Sequence, residues 1–122
     1  MSAIHVIETL GAKQERFAVA LARLILKLDD LKYGVRLHEV WRTPEQAKWN
    51  ADHDLGIANS LHCDGLAADL YLTRLGQLIP ENVAAYQVVG DLWKKLGADH
   101  RWGGDMARRD VYHVSITHGG RL

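Results

Sequence analysis

The segment that decides the fold is Ser60–Leu72, which reads SLHCDGLAADLYL. Side chains alternate between the two faces of a β-strand, so one face of this segment would be apolar: Leu66, Ala68, Leu70 and Leu72. The opposite face would carry Gly65, Ala67, Asp69 and Tyr71. A carboxylate that follows small residues on such a face is typical of a functional site. The segment therefore predicts a strand with a buried face and a site around Asp69.

Length and composition indicate one ordinary globular domain over residues 1–122. The chain is 48% hydrophobic and 25% charged, which is enough to bury a core without added cross-links. Fifteen basic and fifteen acidic side chains cancel. This balance provides no electrostatic footprint for nucleic acid or for anionic lipid, so neither is expected as a partner.

Cysteine usage and hydropathy indicate a soluble cytosolic product. The single cysteine, Cys63, excludes an internal disulfide. The first fourteen residues lack the basic flank and apolar core of a signal peptide. The longest apolar stretch, residues 18–28, contains Arg23 and Lys27, and no membrane insertion is expected.

The periodicity of apolar residues predicts three helices. The first covers residues 13–31 and ends near Gly34, with one face formed by Phe17, Leu21, Leu24, Leu28 and Leu31. The second begins with Thr43 as N-cap and Pro44 at the first helical position, and it ends near His53. The third begins at Pro80 and ends at Gly97.

Strands are predicted at residues 35–41, 66–72 and 112–117, and loops at residues 54–60 and 100–109. The elements mix without a regular βαβ order. The expected fold class is therefore α+β, with a small, mostly antiparallel sheet flanked by about three helices.

The histidine pattern excludes two common zinc motifs. Residues 38–42 begin like HExxH, but Arg42 occupies the position of the second ligand, and no CxxC pair exists. What remains is His62 with Asp69, and then Asp110 with His113. Two imidazoles and one carboxylate form a known catalytic zinc set with a fourth position open to water. One zinc ion per chain is therefore expected.

At this point the sequence resembles a known family. Residues 60–69 match the signature SxHxxGxAxD of the D-alanyl-D-alanine metallopeptidase group, which shares its zinc site with the hedgehog signalling domain. Asp110-x-x-His113 resembles the second half of that signature. Three further segments, Val40–Gln46, Asn59–His62 and Arg101–Asp105, resemble bacteriophage L-alanyl-D-glutamate endopeptidases, which are endolysins of this group.

The resemblance implies a role for six residues. His62, Asp69 and His113 would bind zinc, and Asp110 would be the general base. Arg42 would stabilise the oxyanion or hold a substrate carbonyl, and Ser60 would line the substrate groove. Some relatives have glutamate where Asp110 stands, and many have an aromatic residue and glutamate where this chain has Val114 and Ser115.

The implied function is that of a zinc-dependent phage endolysin, acting as a monomer on the L-alanyl-D-glutamate bond of the peptidoglycan stem peptide. It would be made in the host cytoplasm and reach the cell wall through the periplasm after a separate protein permeabilises the membrane. One alternative is a D-alanyl-D-alanine carboxypeptidase or dipeptidase with the same site. Another is a zinc-stabilised binding module without catalysis.

Strand geometry limits how these residues can meet. Residues three apart on a strand face opposite sides, so the backbone must turn between Asp110 and Tyr112, with His113 near the start of its strand. His62 and Asp69 are seven residues apart, an odd number, so on one regular strand they would also face opposite sides. Gly65 and the loop before it provide the freedom to avoid this.

Simpler roles are expected for the other polar and aromatic residues near these motifs. Arg42 has the alternative of a surface pair with Glu45, and Cys63 is expected to point away from the ligands as a small buried residue. Trp102 should pack on the third helix. His100 and His118 are expected to be exposed, with a supporting role at the site left open for His118. Arg108 and Arg109 are expected in solvent, with a part in binding an acidic substrate left open.

Overall fold

Over the residues that the structure describes, the fold combines three helices with five short strands. The computed structural model describes residues 7–56 and 60–121. The helices are α1 (Leu10–Asp30), α2 (Pro44–Asp52) and α3 (Val83–Lys95). The strands are β1 (Gly34–Leu37), β2 (Ala67–Arg74), β3 (Gln77–Leu78), β4 (His100–Trp102) and β5 (His113–Ile116), and two 3₁₀ turns cover Leu61–Asp64 and Gly103–Asp105.

All strand pairs in the sheet are antiparallel. The strand order is β1-β2-β5-β4, and β3 pairs with the end of β2. This arrangement confirms the predicted α+β class. Among the described helices, none combines the length and the apolar composition that crossing a bilayer requires.

Strand β2 lies inside the sheet and has the two faces expected from its sequence. Leu70 and Leu72 are fully buried, whereas Asp69 and Tyr71 are half-buried on the other face. In the pairing of β2 with β5, Asp69 lies directly opposite His113. Directly opposed residues project from the same face of a sheet, so the register alone places these two side chains together.

Helices α1 and α3 share one core with the apolar face of the sheet. The rings of Phe17 in α1 and Trp93 in α3 meet edge to face, with centroids 5.6 Å apart. The indole nitrogen of Trp93 donates to the carbonyl of Ser115 in β5 over 3.0 Å. This bond satisfies a buried donor and fixes α3 to the strand that carries His113.

Two predicted elements near the N-terminus have different bounds. Helix α1 begins earlier than predicted because Thr9 accepts a hydrogen bond from Ala12 as N-cap, and Leu31 lies past its end and is exposed. Strand β1 ends at Leu37 instead of residue 41. His38 donates to the carbonyl of Asp69, whose own N–H donates to the carbonyl of Glu39. Two residues thus oppose one, the arrangement of a β-bulge, which ends regular pairing.

The predicted bounds of two further elements are wrong. Helix α3 begins at Val83, not Pro80, because Asn82 is its N-cap: the Asn82 side chain accepts the backbone N–H of Ala85. The predicted loop 100–109 contains strand β4 and a 3₁₀ turn, and β3 was not predicted. Helix α2 is confirmed, with Thr43 accepting a bond from Gln46. In the predicted loop 54–60, residues 57–59 lie outside the described residues.

Candidate metal centre

Three side chains that the sequence singled out converge at the β2–β5 pair. One ligand atom from each of His62, Asp69 and His113 lies within 4.8 Å of the other two, and the three residues could hold a metal ion. The Oδ1 atom of Asp69 is 3.4 Å from Nε2 of His62 and 3.5 Å from Nδ1 of His113. The carboxylate therefore lies between the two imidazoles.

The 3₁₀ turn Leu61–Asp64 brings His62 to the strand. Ser60 caps this turn by accepting the backbone N–H of His62 over 3.2 Å, and Gly65 ends it with a φ of 68°. This left-handed conformation favours glycine, and an added Cβ would lie 2.3 Å from the ring of Trp41. The expected freedom at Gly65 is what allows His62 to face Asp69.

A second turn brings Asp110 near His113. The Oδ1 atom of Asp110 accepts the N–H of Tyr112 over 3.2 Å, and its carbonyl accepts the N–H of His113 over 3.2 Å. A Cβ on Gly103 would lie 2.1 Å from that carbonyl, so only glycine allows this approach. The predicted turn between Asp110 and Tyr112 is confirmed, and His113 is the first residue of β5.

The buried polar atoms of the centre have the properties of a metal site. Among the described residues, Nδ1 of His62 and Oδ1 of Asp69 are buried and have no hydrogen-bond partner. Burial alone would raise the pKa of Asp69, but the adjacent His113 and His62 rings outweigh it and hold that pKa well below its usual range. An ionised carboxylate with two imidazoles is a donor set that suits Zn²⁺.

Asp110 lies at the edge of the same cleft. Desolvation by its surroundings, helped by the charge of Asp69, raises the pKa of the Asp110 carboxyl above its ordinary value. A cation bound by the three side chains would oppose that shift. Asp110 lines a cavity of about 420 Å³ together with His62, Asp69 and His113.

Arg42 and Ser60 also line this cavity. The Nε group of Arg42 forms an ion pair with Glu39, and the expected alternative pair with Glu45 does not occur. The backbone N–H of Arg42 donates to the carbonyl of His62 over 2.9 Å. Arg42 is thus attached to the turn that carries His62.

Other predictions near the site have mixed outcomes. Trp102 packs against α3 as expected, since a Cβ on Gly90 would lie 2.3 Å from its ring. The expectation for His100 is wrong: the residue is buried, with Nδ1 2.9 Å from the carbonyl of Trp93. His118 is half-buried and lies 3.2 Å from Nζ of Lys13, and Cys63 is half-buried instead of fully buried.

Some residues of the site were missed by the sequence reasoning. The Glu39 carboxylate lies 3.8 Å from Nδ1 of His62. Tyr112 and Glu81 line the cavity. The signal for Glu39 was its place in the incomplete HExxH pattern, which was considered only for metal ligation. Arg108 and Arg109 are exposed, as expected, and also line the cavity.

Comparison with known proteins shows a similarity of fold. No protein-family model matches the chain, and no curated protein sequence matches it significantly. The fold is similar to the crystal structure of Serratia marcescens L-Ala D-Glu endopeptidase ChiX, with a TM-score of 0.65 and 19% sequence identity. The similarity covers 91% of this chain and 90% of that chain. At this identity it shows a shared fold.

Proposed function

We propose that the chain is a single zinc-dependent catalytic domain that hydrolyses the L-alanyl-D-glutamate bond of the peptidoglycan stem peptide. The observation that carries this proposal is the convergence of His62, Asp69 and His113 beside Asp110 in an open cleft. The shared fold with an L-Ala D-Glu endopeptidase supports the choice of bond.

Zinc at His62, Asp69 and His113 would supply a Lewis acid for the scissile carbonyl and would lower the pKa of water. Asp110 would take the proton of the attacking water and return it to the leaving amine. Its carboxylate has one oxygen held by the N–H of Tyr112, which orients the group. Its position at the exposed edge of the cleft leaves room for substrate.

Arg42 would stabilise the negative charge that develops on the substrate oxygen. Its Nε is held by Glu39, and its guanidinium faces the cavity close to Gly56, since a Cβ there would lie 3.7 Å from Nη1. Ser60 would line the groove while its Oγ holds the turn of His62. Arg42 and Ser60 would thus contact the substrate and also hold the turn that carries the candidate metal ligand His62.

Two arginines that line the cleft suit an anionic leaving residue. Arg108 and Arg109 line the cavity and form no ion pair with any described residue. A D-glutamyl residue linked through its side chain retains a free carboxylate beside the scissile amide. We infer that these guanidinium groups attract that carboxylate.

The biological setting that we propose is lysis of a bacterial host by a phage. The chain would act as a monomer, made in the host cytoplasm and admitted to the periplasm when another protein permeabilises the membrane. Its target would be the stem peptide of the cell wall. This part of the proposal rests on the resemblance to phage endolysins.

Digestion of purified peptidoglycan tests the proposed reaction. New free amino groups on D-glutamate are expected, and their loss on chelation with recovery on adding Zn²⁺ would support the metal requirement. Released D-alanine would instead indicate the D-alanyl-D-alanine carboxypeptidase or dipeptidase alternative. Zinc binding without any new termini would indicate the non-catalytic binding module.

A further inference from the structure

Glu39 occupies the side of His62 that faces away from Asp69. The two nitrogens of the His62 ring have different neighbours: Nε2 is 3.4 Å from Asp69, and Nδ1 is 3.8 Å from Oε1 of Glu39. The β-bulge at His38 and Glu39 brings this glutamate to the ring, because both residues lie opposite Asp69. Glu39 is half-buried in this position.

The Nδ1 atom of His62 needs an acceptor if Nε2 binds a cation. A neutral imidazole that ligates through one nitrogen carries its proton on the other, so Nδ1 would be a donor. That atom is buried and has no hydrogen-bond partner among the described residues. An unsatisfied buried donor costs about 1–3 kcal/mol.

The Glu39 carboxylate can satisfy this donor. Its Oε1 lies 3.8 Å from Nδ1, about 0.9 Å longer than a typical N–H···O hydrogen bond, and a small torsional change of the glutamate side chain would close this gap. The same oxygen pairs with Nε of Arg42, and a carboxylate oxygen has lone pairs for two donors. One anionic group thus lies between a candidate ligand and the arginine of the cleft.

We propose that Glu39 is a positioning residue of the metal centre. It accepts the Nδ1–H of His62, which fixes the tautomer and orientation of that ring and makes Nε2 a stronger ligand. It also holds the Nε of Arg42. The proposal rests on the proposed cation site but does not require peptidase activity.

The backbone around Glu39 supports the same arrangement and can be separated from the side chain by mutation. The carbonyl of Glu39 accepts the N–H of Asp69 over 2.7 Å. Replacing the side chain leaves that backbone bond available. A loss of cation affinity on substitution would therefore report the carboxylate and not the strand pairing.

The test measures Zn²⁺ affinity of the purified full chain by competition with a chromophoric chelator. Glu39→Ala is expected to weaken Zn²⁺ binding about 10-fold to 100-fold, the usual effect of removing a partner of a ligating histidine. Glu39→Gln keeps a neutral acceptor and should lose less. The matched control is Glu45→Gln, an exposed glutamate also three residues from Arg42, which should bind as wild type.

Two further measurements separate positioning from stability. The visible spectrum of the Co²⁺-loaded protein should change in Glu39→Ala, whereas urea unfolding of the metal-free protein should change little. If Glu39→Ala lowers the stability of the metal-free chain too far, Glu39→Gln provides the same comparison.

Three results would overturn the proposal. The first is unchanged Zn²⁺ affinity in both Glu39 variants. The second is an equal loss in Arg42→Gln with no further loss in the double variant, because Glu39 would then act only through the guanidinium. The third is a wild-type chain that binds no Zn²⁺, which would overturn the cation site itself.

Discussion

Replacing Asp110 with asparagine tests its proposed role as general base separately from any role in the structure. The residue lies at the exposed edge of the cleft, and the one hydrogen bond that its side chain forms is accepted from the N–H of Tyr112. Asparagine retains an Oδ1 acceptor for that bond. The free energy of unfolding should therefore change by less than about 1 kcal/mol, the worth of one ordinary hydrogen bond.

The effect on the reaction should be much larger. A positioned general base contributes about 10²-fold to 10⁴-fold, or about 3–5 kcal/mol of activation free energy. Asp110 is not one of the three residues that could hold the metal, so Zn²⁺ affinity should stay within about tenfold of the wild type, or 1.4 kcal/mol. Asp110→Asn should thus bind zinc, remain folded and lose nearly all hydrolysis.

The assay is release of new amino termini from a muropeptide, followed by chromatography, with zinc content and unfolding measured on the same preparation. The matched control is Asp105→Asn, an exposed aspartate that pairs with Lys94 outside the cleft. Hydrolysis by Asp110→Asn within tenfold of the wild type would refute the role as base. If Asp110→Asn loses both zinc and activity, Asp110 would be a metal ligand, and its assignment as a general base outside the ligand set would be wrong.

Three further changes have defined outcomes. Gly65→Ala should lower the free energy of unfolding by about 1–3 kcal/mol, because the backbone at this position is left-handed and an added Cβ would overlap the ring of Trp41. A urea titration that shows no loss of stability would contradict this. Burial lowers the pKa of His100 below 6.5, so the unfolded state binds more protons there and stability should fall as pH drops below about 6.5. This fall should shrink in His100→Asn, as measured by urea titrations at several pH values, and an equal slope would rule out His100 as its source. Replacing Arg108 and Arg109 with glutamine should raise KM about threefold to tenfold for a substrate whose D-glutamyl carboxylate is free, and should leave KM unchanged for the substrate in which that carboxylate is amidated. A variant with the same KM as the wild type for the free-carboxylate substrate would exclude the carboxylate contact.

The parts of the fold that follow strong local rules could be predicted from the sequence. Thr43 and Pro44 define the start of α2, because a side-chain cap and a fixed φ act within one turn. The alternation through Leu70 and Leu72 identified β2 and its faces, because one face is buried and the other is not. Two of the three candidate ligands, His62 and Asp69, came from the segment that leads into and includes this strand.

The parts that depend on long-range pairing could not be predicted. Strand β4 exists because β5, more than ten residues further along the chain, provides its partner, and this pairing holds His100 in its buried place beside the carbonyl of Trp93. The ion pair of Arg42 with Glu39 depends on the bulge opposite Asp69, and residue spacing alone offered Glu45 as an equal choice. Contacts of this kind have no local signature.

The pairing of Asp69 with His113 across β2 and β5 makes this site sensitive to insertions and deletions. One residue added to β5 just before Val114 would turn His113 to the opposite face while leaving every functional side chain in the sequence. A related chain could contain all six predicted site residues and still differ in the number of residues along this strand. Such a chain is expected to lack the arrangement of His62, Asp69 and His113 described here. The count of residues along β5 is as informative as their identities.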